Sequence, residues 1–342
     1  MKLLLFTQAL DTNDPVLSVY HRWVAEFAAR FEFVTVICLK KGSYNLPANV
    51  KVLSLGKEDG AGRLIYIARF YKYIFCEKYD SVFAHMNQEY ILLGGIFWKL
   101  MGKNIYMWRN HHAGNIFTHI AAAFCTKIFC TSKFSYTAKF RNAILMPVGV
   151  DTDRFVRLSG ISKIPRSILF LARIAIVKKP HVLIEALKLL KSRNVDFVAN
   201  IYGDSLVKDR GYHDGLREMV IDRGLADRVS FSEGVPNEET IETYNSHEIF
   251  VNLSSSGMYD KTIFESMACE TLVLATNKNL VGLIPSSFIA EEDDVGDIAL
   301  KLEKLLALSM EEKTEKGKEL HRVALEKHSL RELGNKLAIL VS

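Results

Sequence analysis

Residues Ile249–Thr276 read IFVNLSSSGMYDKTIFESMACETLVLAT. The segment opens on Ile-Phe-Val-Asn-Leu and closes on Thr-Leu-Val-Leu-Ala-Thr, short apolar runs that suit buried strands of a parallel sheet. Between them a small-residue loop runs into a helix headed by Thr262. A loop that opens a helix at the C-terminal edge of such a sheet aims several backbone N–H groups at one spot. Those amides and the helix dipole together favour an anion. Glu265 falls one turn into the helix, where a carboxylate accepts bonds from vicinal sugar hydroxyls. The chemistry suggested is recognition of a nucleotide diphosphate with its ribose. The competing reading is an ordinary strand–loop–helix of some other α/β domain.

Working outward, the same alternation covers the chain. In the first half, strands are expected at Lys2–Thr7, Phe33–Leu39, Val50–Leu55, Ser81–His85, Asn104–Trp108, Lys127–Thr131 and Ile144–Met146. Helices are expected at Pro15–Arg30, with Val19, Trp23 and Phe27 on one face, and at Arg63–Lys78 and Glu89–Met101. After Pro147 a second set begins, with strands at Ser167–Leu171, Phe197–Tyr202, Val229–Ser232, Ile249–Asn252 and Leu272–Ala275. Its helices fall at Lys179–Arg193, Asp214–Gly224, Asn237–Asn245, Thr262–Cys269 and Val295–Leu308, and Glu311–Val341 is charged and helical. This pattern predicts two doubly wound, mostly parallel α/β domains whose ligands sit at the C-terminal strand ends. The boundaries expected are 1–156, 157–325 and a C-terminal helix at 326–342 packing back on the first domain. The linker is placed at Arg157–Pro165, polar and ending in Pro.

With 342 residues and 24% charged side chains, the chain has ample material for two cores. It has no run of 18 uncharged apolar residues, and Met1–Leu10 lacks a signal-peptide layout. Cys38, Cys76, Cys125, Cys130 and Cys269 are scattered in apolar contexts and read as reduced core residues of a cytoplasmic protein. Net charge is +5, but residues 1–150 hold 18 Lys and Arg against 9 Asp and Glu. That excess points to a membrane surface, to a phosphate-bearing acceptor, or only to a solvated basic face. No nucleic-acid partner is expected. Arg63–Lys78 interleaves basic with aromatic and aliphatic residues. It either lies on the inner face of a membrane or packs on the sheet.

The opening segment resembles the donor-site signature of family 4 of the retaining glycosyltransferases, "EGFGLxxLEAMACGxPV", in which seven residues separate two Glu. Glu265 matches the second Glu. The first would fall at Gly257 and is absent, and Glu270 replaces the Gly after the Cys. Ile168–Leu187 resembles the family's "VGRLxxxKxPxxLIEAL", with Ala172 for the usual Gly. There Arg173 and Lys178 would clamp a diphosphate and offset charge on the leaving group, unless they are surface charges beside a turn. Val198–Asp204 resembles a strand ending in Gly-x-Gly, of which Gly203 remains. Asp227–Gly234 is similar to "drVxFxG", which would set Gly234, Val235 and Pro236 beside the base. Tyr259, Lys261 and Thr262 complete the implied donor-binding set. Pro147–Phe155 resembles "PNGVDxxxF", which makes Asp151-Thr152-Asp153 a turn and cap, not a metal-binding Asp-x-Asp. In the first half, His111 is the residue implied to face the transferred sugar, with His112 the near alternative. The family's Gly-Gly loop after the first strand is absent, and Asp11–Ser18 stands in its place.

The resemblance implies a GT-B fold, two Rossmann-like domains facing a cleft, and a retaining transferase acting by front-face attack. The donor would be a UDP- or GDP-sugar and the acceptor a hydroxyl of a glycan or lipid-linked molecule. No metal or other cofactor is implied. Arg173, Lys178, His111 and Asp260 are the expected catalytic residues. Asp260 lies three positions past the missing Glu, and it either holds sugar hydroxyls in that residue's stead or stays exposed. Two other readings stand beside this one. Loss of the first Glu and of the Gly-rich loop suggests an inactive nucleotide-sugar-binding module, against which Arg173, Lys178 and Glu265 argue. A nucleotide-sugar epimerase would need carboxylate acid/base groups that the sequence does not reveal.

Overall fold

The first strand explains the layering of the first sheet. In β1 (Lys2–Leu10) alternate side chains enter two different cores: Leu3 and Leu5 one, Leu4 and Phe6 the other. A strand buried on both faces requires helices above and below the sheet. A computed structural model describes the chain apart from Pro15, Val16, Glu238, Met258 and Ser342. It resolves into two compact units, Met1–Gly149 with Leu330–Ser342, and Val150–Ser329.

In the first unit β1 is followed by α1 (Ser18–Ala28), β2 (Phe33–Lys41), β3 (Val50–Ser54), α2 (Arg63–Cys76) and β4 (Ser81–His85). Then come α3 (Glu89–Leu100), β5 (Asn104–Trp108), α4 (Ile116–Phe124), β6 (Lys127–Cys130) and β7 (Ala143–Leu145). The strands lie in the order β3-β2-β1-β4-β5-β6-β7, all parallel. The order reverses between β1 and β4, which makes a switch point at their C-terminal ends. Helix α1 buries Tyr20, Trp23, Val24, Phe27 and Ala28, the stripe that a 3.6-residue period gives. Its expected start at Pro15 lies outside the described residues.

The second unit runs β8 (Ser167–Leu171), α5 (Pro180–Ser192), β9 (Val198–Tyr202), α6 (Arg210–Asp222), β10 (Val229–Ser232) and α7 (Thr240–Asn245). It continues through β11 (Ile249–Asn252), α8 (Lys261–Ala268), β12 (Leu272–Ala275), α9 (Val295–Leu306) and α10 (Met310–His328). Its sheet is parallel, ordered β10-β9-β8-β11-β12. Here the switch falls between β8 and β11.

Three differences from the sequence reading have physical causes. The helical stretch Glu311–Val341 is broken at Ser329, which is extended at φ −64° and ψ 155°. There the His328 carbonyl accepts from Val150 N, and α11 (Leu330–Val341) belongs to the first unit. It buries Leu330, Leu333, Leu337 and Val341. Its last carbonyls take bonds from Lys127 Nζ (2.6 Å, to Leu340) and Tyr106 Oη (3.2 Å, to Val341), favourable for a helix C-terminus. Second, Arg157–Pro165, read as the linker, is tied into the second unit. Asn245 Oδ1 accepts from Arg157 and from Leu158 N, each at 2.8 Å, and Lys163 donates to the His247 carbonyl. Third, four cysteines are buried as expected, but Cys76 is exposed, because it sits on the outward side of α2.

Gly149, the last residue before the chain leaves the first unit, has φ +77°, and a Cβ there would lie 2.5 Å from Leu333 and 2.9 Å from Trp23. Its carbonyl accepts from Trp23 Nε1 at 3.2 Å. Gly149→Ala should therefore destabilise the protein by about 1–3 kcal/mol through strain and overpacking. A melting temperature equal to that of the wild type would show that the α1–α11 seam yields freely.

Candidate functional site

The C-terminal ends of β8 and β11 gather most of the site residues expected in the second unit. After β8 the chain makes a single turn of 3-10 helix, Ile176–Lys178, before Pro180 starts α5 at its first position, where a missing N–H is harmless. That turn sets Lys178 facing the loop after β11. Its Nζ donates to Ser254 Oγ at 3.2 Å and forms a short ion pair with Asp260. Asp260 is the N-cap residue of α8, yet its side chain makes no capping bond. It accepts instead from Lys178, from Ser254 Oγ (2.8 Å) and from Asn252 Nδ2 (3.2 Å). Burial opposes ionisation of Asp260, but Lys178 and the two further donors outweigh it and hold the carboxyl below its ordinary range. Asn252 also donates to Thr262 Oγ1 at 3.2 Å, fixing the entry to the helix.

One turn further in, Glu265 is 5% exposed and accepts from Tyr244 Oη at 3.1 Å. Burial pushes its pKa up to about 7, against the pull of Lys261 and the Tyr244 bond. Burial likewise lowers Lys261 to about 8, partly offset by Glu265 four residues on. Arg154, which donates to Asn237 Oδ1 and to the Asn237 carbonyl (3.1 Å each), adds a positive field at Glu265.

Arg173 is exposed and makes no side-chain bond among the described residues. Tyr259 is committed elsewhere: its hydroxyl donates to the Asn279 carbonyl at 2.6 Å and its ring packs edge-on against Phe264. Gly203 has φ +154°, and a Cβ there would lie 1.9 Å from the Ala172 carbonyl oxygen, so β8 and β9 converge only because it is Gly. Beside it Asp204 accepts from Gly234 N at 3.0 Å and anchors the loop of Gly234, half-buried Val235 and exposed Pro236. His111 belongs to the first unit, exposed and stacked on His112 at 4.5 Å, with Nδ1 accepting from Ala113 N. It lines a cavity of about 220 Å³ with Gln8, His85, Asn87 and Arg109. The Asp151 carbonyl accepts from Arg154 N and Phe155 N, so Asp151–Asp153 forms a turn. Among the described residues no group of three His, Cys, Asp or Glu is placed to hold a metal, and no helix is long and apolar enough to cross a membrane.

The structure therefore brings together Lys178, Asp260, Lys261, Thr262 and Glu265, and leaves His111 in the other unit. Sequence reasoning missed Asn252, Ser254, Tyr244 and Arg154. Asn252 carried a signal, a polar residue closing an otherwise apolar strand. Tyr244 carried none, since a buried Tyr on a short helix reads as core.

Residues 151–320 match the model of the family described as glycosyl transferases group 1. The chain is 32% identical over 152 residues to a D-inositol 3-phosphate glycosyltransferase of Paenarthrobacter aurescens, covering 42% of this chain and 36% of that protein. It is 27% identical over 160 residues to the protein of the same name from Mycolicibacterium vanbaalenii, covering 43% and 35%. It thus spans about a third of the length of these relatives. Among solved structures, Anabaena HepE in complex with UDP superposes with a TM-score of 0.79 at 15% identity, over 100% of this chain and 99% of that one. A glycosyltransferase from Rickettsia africae superposes with 0.77 at 16%, over 99% and 97%. The fold is GT-B.

The raised pKa of Glu265 has a signed consequence for stability. Between pH 4.5 and about 7 the folded chain keeps a proton that the unfolded chain gives up, so stability falls as pH rises through that window. Glu265→Gln stays neutral throughout, so its melting temperature relative to wild type should rise between pH 5 and pH 8. An equal difference at both pH values would mean that Glu265 is ionised without penalty.

Proposed function

We propose that this chain, whose second unit belongs to the glycosyl transferases group 1 family, is a retaining, metal-independent glycosyltransferase. It moves a sugar from a nucleotide-diphosphate sugar, UDP- or GDP-linked, to a hydroxyl of a glycan or lipid-linked acceptor. The observation that carries this reading is Lys178 holding an anion, Asp260, at the N-terminus of α8, with Glu265 one turn away. A diphosphate meets the same cation and the same helix dipole, and Glu265 takes the ribose hydroxyls. The presence of UDP in the HepE structure favours a uridine donor.

Bond making and breaking occur on one face of the sugar in this reading. The acceptor hydroxyl attacks the anomeric carbon as the bond to the diphosphate oxygen opens, and the departing diphosphate accepts the hydroxyl proton. Lys178 and Arg173 stabilise the charge that grows on the leaving oxygens. Lys178 must exchange Asp260 for phosphate as the donor enters, and the released carboxylate then turns to the sugar hydroxyls. Acceptor-dependent release of UDP or GDP from a panel of nucleotide sugars tests the activity. Binding without release would make the chain a nucleotide-sugar-binding module, and a changed sugar would make it an epimerase.

Arg173→Ala and Lys178→Ala should each lower turnover by about a hundred- to a thousandfold. Wild-type rates in both would remove the clamp. Asp260→Asn should lower turnover more than it changes affinity for UDP. Tighter UDP binding with normal turnover would leave Asp260 a mere competitor for Lys178.

A peripheral contact with a membrane forms part of the proposal. The inner face of α2 buries Phe70 and Ile74, while its outer face leaves Leu64 82% and Phe75 55% exposed beside exposed Arg63, Lys72 and Lys78. Apolar side chains flanked by cations suit an anionic headgroup layer. In flotation assays the chain should rise with phosphatidylglycerol vesicles, and a Leu64→Glu, Phe75→Glu double variant should not. Equal flotation of both would place the contact elsewhere or nowhere.

A further inference from the structure

The edge of the second sheet opposite Lys178 and Asp260 holds a cavity of about 320 Å³, lined entirely by residues of the second unit. Glu248, which precedes β11, and Leu272, which opens β12, place it at the N-terminal ends of those strands. Arg157 and Lys163 reach it from the segment before β8, and Met310 and Lys313 from the first turn of α10. Lys313 Nζ donates to Glu248 Oε2 at 2.7 Å and to the Leu306 carbonyl at 3.2 Å, so that pair is met within the protein. The other charged groups of the wall are not.

Arg157 donates to Asn245 Oδ1 and to the Asn245 and Ile161 carbonyls. Lys163 Nζ donates to the His247 carbonyl at 2.8 Å and to Thr271 Oγ1 at 3.2 Å. All these partners are neutral, and among the described residues no carboxylate forms an ion pair with either cation. Burial and the nearby Arg157 guanidinium lower Lys163 to about 8, with Cys269, Glu248 and Glu270 partly opposing. Glu270, half-buried on the same wall, makes no side-chain hydrogen bond and no ion pair among the described residues. It stands at φ +56°, just past α8, at the position where the motif that this segment resembles has Gly. A β-carbon is unfavourable in that left-handed conformation, so the chain carries this carboxylate against backbone strain.

We propose that this cavity binds a small zwitterion, an oxyanion and an ammonium joined by a short aliphatic stem, with Arg157 and Lys163 taking the oxyanion and Glu270 the ammonium. The oxyanion is a carboxylate or a phosphate monoester. The unpaired charges decide the class. A simple anion would meet the two cations but face Glu270. A simple cation would meet Glu270 but face Arg157 and Lys163. Either would leave a partly desolvated charge of the wall without a partner. A zwitterion meets both signs through charge-assisted hydrogen bonds, and Leu272 and Met310 give its stem an apolar surface. The site lies apart from Lys178 and Asp260 and does not rest on the transferase reading.

Ligand-observed NMR titrations of the full chain test this. The probes are 4-aminobutyrate and phosphoethanolamine, each beside the same anion without its amine (butyrate or ethyl phosphate), and butylamine as the lone cation. At least one zwitterion should bind at least about tenfold more tightly than its own anion and than butylamine, the scale of a single charged hydrogen bond. The tighter zwitterion identifies the oxyanion. Glu270→Gly also relieves the strain at φ +56° and so keeps the fold. It should erase the advantage of the zwitterion over its anion, Glu270→Asp should keep part of it, and Lys178→Ala should keep all of it. Zwitterions that bind no better than their anions or than butylamine overturn the assignment. So does an advantage that survives Glu270→Gly or disappears in Lys178→Ala.

Discussion

A parallel sheet returns its chain by a crossover after every strand, so each loop that follows a strand leaves from the same edge. Both sheets here obey this throughout. The rule gathers residues far apart in sequence, Lys178 after β8, Asp204 after β9, Ser254 after β11, at one edge of the second sheet. It does the same for Gln8, Asn87 and Arg109 in the first. The apolar strands Ile249–Asn252 and Leu272–Ala275 are fully buried so that the loop between them can be polar.

Charge at the second edge is arranged in alternation. Lys178 faces Asp260, Lys261 faces Glu265, and Tyr244, Ser254 and Asn252 fill the remaining acceptor positions. Removing any one of these charges alone would strand its partner in a poorly solvated place. The helix N-terminus adds a positive potential that the two carboxylates partly cancel. An incoming polyanion therefore meets a site already balanced, and its binding must rearrange existing contacts as well as form new ones. Asp260, which takes three donors and touches Lys178 directly, is the group with most to rearrange.

Most of the architecture was legible in the sequence because buried parallel strands announce themselves as short apolar runs and their helices as periodic stripes. Ile249–Asn252 and the Trp23 face of α1 are examples. A separate C-terminal helix was expected from residue 326, but the position of the break, Ser329, was not legible, because a charged helical pattern continues across it; the extended backbone of Ser329 and the bond from Val150 N to the His328 carbonyl mark it. In the site, Glu265, Arg173 and Lys178 stood out through their motif spacing, and the pairing of Lys178 with Asp260 did not. That contact joins residues 82 positions apart, and no local pattern encodes it. The first unit offered still less, since Arg109 and Gln8 lie in no motif and become neighbours only when β1 and β5 share a sheet edge.

The crossing at Gly149 and the return at Leu330 make the second unit an insertion within the first. The first core needs Leu333, Leu337 and Val341 to cover Trp23, Tyr106 and their neighbours, so its packing closes across some three hundred residues of chain. The inserted unit holds its own sheet and crossovers and needs no residue from outside its span to complete that sheet. On a ribosome that emits the chain from its N-terminus, the strands of the inserted unit's sheet are all made before α11, whose residues complete the first core. The seam of Gly149, Trp23 and Leu333 thus joins residues that leave the ribosome early with residues that leave it late.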